Sequence, residues 1–159
     1  HYESEPIYID ALIKSVKEKL GSINWKPDLI VASYHGIPKK YFDKGDPYHC
    51  YCQKTTRLMK EKYKTINIET TFQSRFGPQE WLTPYTDKTL EDLPKKGVKN
   101  LLVICPGFAS DCVETLEEIN IQGRESFLSQ GGENFDLIPC LNDDADHIDL
   151  FEKLVMKYI

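Results

Sequence analysis

The chain alternates between segments with helical hydrophobic spacing and short, nearly continuous apolar runs. Five segments carry apolar residues at helical spacing: 6–20, 48–63, 87–96, 112–129 and 146–158. Four short runs between them are typical of strands: 28–35, 66–73, 100–105 and 135–139. This order predicts an α/β fold in which a four-stranded parallel sheet carries helices on both faces.

The spacing also predicts which side chains face the core. In the last helix the expected inward residues are Ile148, Phe151, Leu154 and Val155. In segment 112–129 one face is polar, with Glu114, Glu118 and Gln122 at positions i, i+4 and i+8. The opposite face is expected to be apolar and to carry Val113, Leu116, Ile119 and Phe127.

Three loops are expected to meet at one edge of the sheet. They begin at His35, Ser74 and Pro106, each directly after a predicted strand. Because ligands of parallel sheets bind beyond the carboxyl ends of the strands, these loops are expected to line one cleft.

Composition narrows the class of protein. The net charge of −5 and the three scattered arginines argue against a nucleic-acid binder. The sequence contains no glycine-rich phosphate loop, no apolar run long enough to span a membrane and no signal peptide. The five cysteines, an odd number, favour reduced thiols in a cytosolic setting. Since the chain does not begin with Met, we expect a mature fragment or an excised domain.

His35 is the first candidate for chemistry, because it ends a strand in the stretch SYHGIP. A neutral imidazole there can accept a proton or bind a metal. Gly36 is expected to allow a sharp turn beside it. The alternative is a histidine that only hydrogen-bonds its own loop.

Glu114 is the second candidate, because it lies in the first helical turn after a strand-exit loop and so faces the predicted cleft. The alternative for the stripe that it begins is an ordinary solvated helix face. Asp111 precedes the helix and is predicted to be its N-cap.

Aromatic and sulfur side chains offer weaker candidates. Phe76, Trp81 and Tyr85 lie in one loop, where they either cover a flat apolar ligand or close the core of their own loop. Cys50 and Cys52 form a C-x-C without a second pair, which is weak support for a metal site and is typical of plain thiols.

Four stretches together resemble the ferrochelatase family, particularly its proteobacterial members: SYHGIPKKYFDKGDPY, TFQSRFGPQEWLTPYTD, VICPGFASDCVETLEEI and LNDDADHID. The resemblance covers nearly the whole chain. It implies a chelatase-like fold in which residues 1–159 are the C-terminal one of two domains, with the N-terminal domain absent from this chain. It also implies insertion of ferrous iron into protoporphyrin IX to form protoheme, the last step of heme biosynthesis. We expect this chain alone to be inactive.

The resemblance assigns roles to individual residues. His35 matches the histidine of the H-[SG]-[LI]-P motif, and Glu114 matches the glutamate of the E-T-L motif, so both are expected to be catalytic and to bind metal. Glu118 matches a further acid thought to serve metal or proton traffic. Ser74 and Trp81 match positions beside the cleft, and they are grouped with Tyr34 as substrate-binding.

The sequence departs from the family pattern at two positions. Cys112 replaces a histidine that many members carry two residues before the glutamate of the E-T-L motif. Gln122 stands where several members carry a further acid. A relay made only of carboxylates along the helix is therefore in doubt.

The partners implied by the resemblance are protoporphyrin IX, Fe²⁺ as substrate and the absent N-terminal domain. No prosthetic group is expected, and no iron–sulfur cluster, since the chain ends without a cysteine-rich tail. The expected location is the cytoplasm, with peripheral contact with the inner membrane as a further expectation.

Two rival functions remain open at this stage. One is a cobalt chelatase that acts on a reduced tetrapyrrole, and the other is a non-catalytic tetrapyrrole-binding module on the same scaffold. The order in which His35 and the carboxylates meet metal and protons is also open.

Overall fold

The computed structural model describes all residues, 1–159, and its centre is one parallel sheet. The strands run in the order β2-β1-β3-β4. Their bounds are β1 Leu29–His35, β2 Ile68–Gln73, β3 Asn100–Ile104 and β4 Asn134–Leu137. The predicted four-stranded parallel sheet is therefore confirmed, with strand ends within two residues of those expected from the pattern.

Helices cover both faces of the sheet, as predicted. The helices are α1 Pro6–Ser22, α2 Lys39–Asp43, α3 Tyr48–Lys62, α4 Thr86–Asp92, α5 Val113–Leu116, α6 Arg124–Ser129 and α7 Ala145–Met156. One face carries α1, α3 and α7 over a core that includes Ile30, Phe72 and Leu102. The other carries α4 and α6 over a smaller core that includes Val31 and Val103. None of the helices is both long and apolar enough to cross a bilayer.

The central strand β1 places neighbouring side chains on opposite faces. Ile30, Ala32 and Tyr34 join the core beneath α1 and α3, whereas Val31 joins the core beneath α4. Because side chains alternate along a strand, His35 lies on the face covered by α4 and α6. Tyr34 points the other way.

The carboxyl edge of the sheet brings three exit loops together. β1 pairs with β2 on one side and with β3 on the other, so the crossover from β1 to β2 and the crossover from β2 to β3 run in opposite directions across the sheet. Such a switch point leaves a crevice at the carboxyl ends of the strands. The loops that follow His35, Ser74 and Pro106 all leave at this edge, as the sequence predicts.

The predicted helix 112–129 is not uniform. α5 spans Val113–Leu116, a π-helical segment spans Glu118–Gly123, and α6 completes the run. The π-helical segment includes a bond from the Gln122 N–H to the Glu117 carbonyl, five residues back. Because this wider turn shifts the side-chain positions, the expected apolar face divides. Ile119 and Phe127 are buried, but Val113 is 68% and Leu116 49% exposed.

The last helix buries a different stripe from the expected one. His147 and Leu150 are buried and Leu154 is partly so, whereas Ile148 and Val155 are exposed and Phe151 is at the surface. The expectation fails because a histidine lies on the inner stripe. His147 tolerates burial since its Nδ1 lies 2.7 Å from the Asn142 carbonyl, which satisfies it.

Candidate functional site

His35 closes β1 with its backbone and one ring nitrogen fixed. Its carbonyl accepts a hydrogen bond from the Tyr48 hydroxyl (2.8 Å), and its Nδ1 lies 2.7 Å from the Gly36 carbonyl. A carbonyl only accepts, so Nδ1 carries the proton in the neutral ring and Nε2 keeps its lone pair. The hydrogen bond between His35 and its own loop therefore does not argue against a function, because it fixes the direction of Nε2.

Gly36 is needed for close approach rather than for a special backbone angle. Its φ is not positive, but a Cβ built there meets the Gln73 carbonyl oxygen at 2.9 Å and Trp81 Cε3 at 3.3 Å. The sequence suggested that Gly36 is needed for its freedom to turn. The structure shows instead that glycine is needed because there is no space for a Cβ at this position.

Glu114 opens α5 next to His35. Hydrogen bonds from the Cys112 thiol and from its own backbone N–H hold the pKa of the Glu114 carboxyl below its usual range. The Gln73 side chain bonds to the Glu114 carbonyl and the Gln73 Cα is paired with that of His35, so both residues adjoin Gln73 at one edge of the sheet. An ionised carboxylate and an imidazole Nε2 can together receive a cation and a proton.

Cys112, not Asp111, is the N-cap of α5. The Cys112 side chain accepts from the Thr115 N–H, and the Thr115 hydroxyl accepts from the Cys112 N–H (3.0 Å). Asp111 instead ties the loop to the segment after β4, because its Oδ2 accepts from Asn142 Nδ2 (2.8 Å) and its Oδ1 from the Cys140 N–H (3.2 Å). The predicted cap is wrong because Asp111 has these partners across the sheet edge.

Glu118 is held by Ser74, which adopts a left-handed backbone conformation with φ of 63°. The Ser74 N–H donates to Glu118 Oε1 (2.7 Å) and the Ser74 hydroxyl to Oε2 (2.6 Å). A cleft of about 320 Å³ opens beside this pair and also touches Gln122. Ser74, Glu118 and Gln122 therefore form one polar wall.

Gln73 links these groups, although the sequence analysis did not single it out. Its side chain is buried, and its Nε2 donates to the Glu114 carbonyl at 2.6 Å. Nε2 also lies 3.4 Å from Glu118 Oε2. The sequence contains one signal for Gln73: it is a polar residue at the end of a buried strand, on the same face of the sheet as His35.

Trp81 and Tyr34 lie deeper than a direct ligand contact requires. Trp81 is 8% exposed and its Nε1 donates to the Phe76 carbonyl, so it closes its own loop. Tyr34 is 3% exposed, and its hydroxyl lies 3.0 Å from Thr56 Oγ1. Tyr34 lines an aromatic pocket with Tyr8 on the opposite face of the sheet from His35. Phe76, 79% exposed, is the aromatic of its loop that reaches solvent.

No three histidine, cysteine, aspartate or glutamate side chains are clustered as a ready metal-binding group. His35 and Glu114 lie at the same edge of the sheet, while the Glu118 carboxylate accepts two hydrogen bonds from Ser74. Cys50 is exposed and Cys52 buried, so the C-x-C does not present two thiols on one side of α3. Burial raises the pKa of Cys52 to about 12.

Comparison with known proteins agrees with this architecture. A sequence profile of the ferrochelatase family matches residues 1–159. Proteins named ferrochelatase from Rhizobium meliloti and Rhizobium etli are 54% and 56% identical to this chain over 158 residues. One from Brucella ovis is 53% identical over 158 residues.

Each match covers 98% of this chain but only 47%, 46% and 45% of the three relatives, respectively. The chain thus spans about half the length of the relatives that it matches. Over that length the profile and the identities leave no doubt: this chain belongs to the ferrochelatase family.

Proposed function

We propose that the intact protein that carries this chain inserts Fe²⁺ into protoporphyrin IX to form protoheme, and that this chain supplies the metal-handling side of the site. The observations that support the proposal are the free Nε2 of His35, whose Nδ1 contacts Gly36, and the ionised Glu114 carboxylate at the same edge of the sheet. The family supports the same reaction.

The reaction requires a base and a metal ligand close together. Two pyrrole protons must leave as the metal binds four ring nitrogens. In a planar ring the nitrogen lone pairs point inward, so binding energy at the edges of the ring is used to pucker it. His35 Nε2 is suited to take the two pyrrole protons one after the other, releasing the first to solvent before it takes the second. Glu114 and Glu118 offer oxygen ligands for the incoming metal.

Exposed apolar side chains support a flat, apolar substrate at this edge. The ring of the partly buried Phe108 lies 6.1 Å from the His35 ring, and Val113, Leu116 and Phe76 are exposed on the exit loops and on α5. Apolar side chains around a few placed polar groups are typical of small-molecule sites. We propose that they form one wall for the porphyrin, and that the domain absent from this chain supplies the other.

The remaining expectations join the proposal. Iron is the substrate, no prosthetic group or iron–sulfur cluster is required, and the protein works in the cytoplasm with peripheral contact with the inner membrane. Purification of the intact protein from cells, followed by metal and sulfide analysis and membrane fractionation, tests each of these points.

The test of the reaction uses the intact protein with His35→Ala and Glu114→Gln. Loss of a general base costs about 10²–10⁴-fold in rate, so His35→Ala should lose kcat by that order. Glu114→Gln removes the charge of a metal ligand and should also lower kcat, while porphyrin fluorescence still reports binding in both variants. Matched controls are His1→Ala and Glu125→Gln, which alter exposed residues outside the site. Wild-type turnover in His35→Ala would refute the assignment.

The same assay separates the rival functions. A cobalt chelatase would prefer Co²⁺ and a reduced tetrapyrrole over Fe²⁺ and protoporphyrin. A binding module would hold porphyrin equally well in wild type and in Glu114→Gln, with no metal insertion in either.

A further inference from the structure

We propose that Gln73 is a positioning residue that holds Glu114 and Glu118 in the arrangement that metal insertion requires. This inference rests on the proposed function and adds to it a residue that touches neither metal nor porphyrin. Its basis is one buried amide, which contacts the backbone of Glu114 and the carboxylate of Glu118 from the end of β2.

The orientation of the Gln73 amide is fixed by its partners. Nε2 faces the Glu114 carbonyl and the Glu118 carboxylate, which only accept hydrogen bonds. Oε1 accepts from the Ser33 hydroxyl at 2.7 Å and lies 3.6 Å from Cys105 Sγ, which are donors. The flipped amide would set oxygen against oxygen at Glu114, so only one orientation satisfies every group.

The amide is itself anchored below the site. Ser33, buried in β1, lies 2.9 Å from the Thr86 hydroxyl, which lies 2.8 Å from the Thr71 hydroxyl, so that each hydroxyl can donate to the next toward Gln73. These buried hydroxyls connect α4, β1 and β2 to the Gln73 side chain. A fully bonded buried polar network is rigid, so the position of Nε2 is set by three elements of the fold.

Glu114 needs such a support because little apolar packing holds its helix. α5 has only 4 residues and leads into the π-helical segment. Val113 and Leu116 are exposed, so of its four side chains only that of Thr115 is buried. The Gln73 bond to the Glu114 carbonyl therefore supplies a contact that apolar burial does not.

Gln73 also sets the distance between Glu114 and His35. Its own carbonyl accepts the Gly36 N–H at 2.8 Å, and its Cα is paired with that of His35 in the sheet. Gln73 thus holds the end of β1, which carries His35, through its backbone. It holds α5, which carries Glu114, through its side chain. Loss of the amide should displace the carboxylates while the strand end stays in place.

The experiment compares Gln73→Met and Gln73→Glu in the intact protein. Met fills the space but donates no hydrogen bond, whereas Glu keeps the shape and, when ionised, sets a charge against Glu118. Loss of a group that orients metal ligands costs about 10–100-fold. We expect kcat to fall by that factor in Gln73→Met and further in Gln73→Glu. The KM for Fe²⁺ should rise and the KM for porphyrin should stay unchanged.

A double-mutant cycle with Glu118→Gln separates positioning from general loss of structure. If Gln73 acts through Glu118, the double variant Gln73→Met/Glu118→Gln loses less than the product of the two single effects. Fully multiplicative losses would overturn that coupling. Ser33→Ala removes only the anchor of Oε1 and should give a smaller loss of kcat than Gln73→Met.

The matched control is Thr55→Val, which alters a buried polar residue on the other face of the sheet. It should leave both KM values and kcat unchanged. Wild-type kinetics in both Gln73 variants would overturn the positioning role alone, provided that the unmutated protein inserts iron. An unmutated protein without that activity would instead overturn the proposed function.

Discussion

Replacement of Gly36 by alanine tests how tightly the end of β1 is fitted against its neighbours. The new Cβ would lie 2.9 Å from the Gln73 carbonyl oxygen and 3.3 Å from Trp81 Cε3. The first contact is with backbone, which cannot rotate away. To reach ordinary van der Waals separation, the two strand ends must part by about 0.5 Å.

The cost of this separation follows from the contacts at the strand end. Overpacking in a well-packed region costs about 1–3 kcal/mol, and the Gly36 N–H bond to Gln73, 2.8 Å long, is strained as well. In a domain of 159 residues that corresponds to a fall in melting temperature of roughly 2–12 °C, and to a smaller fall in the longer intact protein. A 1 Å misplacement of reacting groups costs about 10²-fold, so a shift half as large should lower kcat by about tenfold.

The assay measures thermal unfolding and iron insertion in the intact protein. Gly21→Ala is the matched control, because a Cβ there meets nothing within 4 Å and φ is not positive. It should be neutral or slightly stabilising. Equal melting temperatures and equal kcat for Gly36→Ala and the unmutated protein would refute the close fit on which the reasoning depends.

Two further predictions concern the polar contacts around the site. Ser74 has a φ of 63°, a backbone conformation that glycine adopts more easily than alanine. Both Ser74→Gly and Ser74→Ala lose the hydroxyl bond to Glu118, but Ser74→Gly should be the more stable by about 1 kcal/mol in denaturant unfolding. The reverse order would contradict the left-handed conformation. Desolvation raises the pKa of Asp111, but hydrogen bonds from Asn142, Cys140 and Thr115 outweigh it and lower the pKa overall. Since the folded pKa is depressed, Asp111 stabilises the fold above its unfolded pKa, and that stability is lost as pH falls through the folded value. Asp111→Asn should therefore be less stable than the unmutated protein at pH near 7, with the gap closing below pH of about 4; a gap that is constant with pH would contradict this.

The order of elements could be predicted from the sequence because it depends on local patterns. The run at β1 and the helical stripe of α1 contain their own periodicity, and these two elements formed within two residues of their predicted bounds. The parallel sheet follows, since strands that alternate with helices connect in that way. The same rule placed His35 and the start of α5 at one edge, which the structure bears out.

The structure adds to or departs from the sequence-based predictions where contacts join residues that are far apart in the chain. Gln73 and Glu114 are 41 residues apart, and Ser74 and Glu118 are 44 apart. No periodicity within a segment encodes such pairs. For that reason the sequence could not show that the Glu118 carboxylate accepts two hydrogen bonds from Ser74.

The sequence by itself determined the α/β class, the order of the strands along the chain and the two residues, His35 and Glu114, that carry the proposed chemistry. Only the tertiary structure decided which nitrogen of His35 is free, that Trp81 closes its own loop, and that Gln73 connects the two sides. The physical reason is that hydrophobic periodicity is set by neighbours in sequence, whereas the direction of a polar side chain is set by whichever donor or acceptor the fold brings to it.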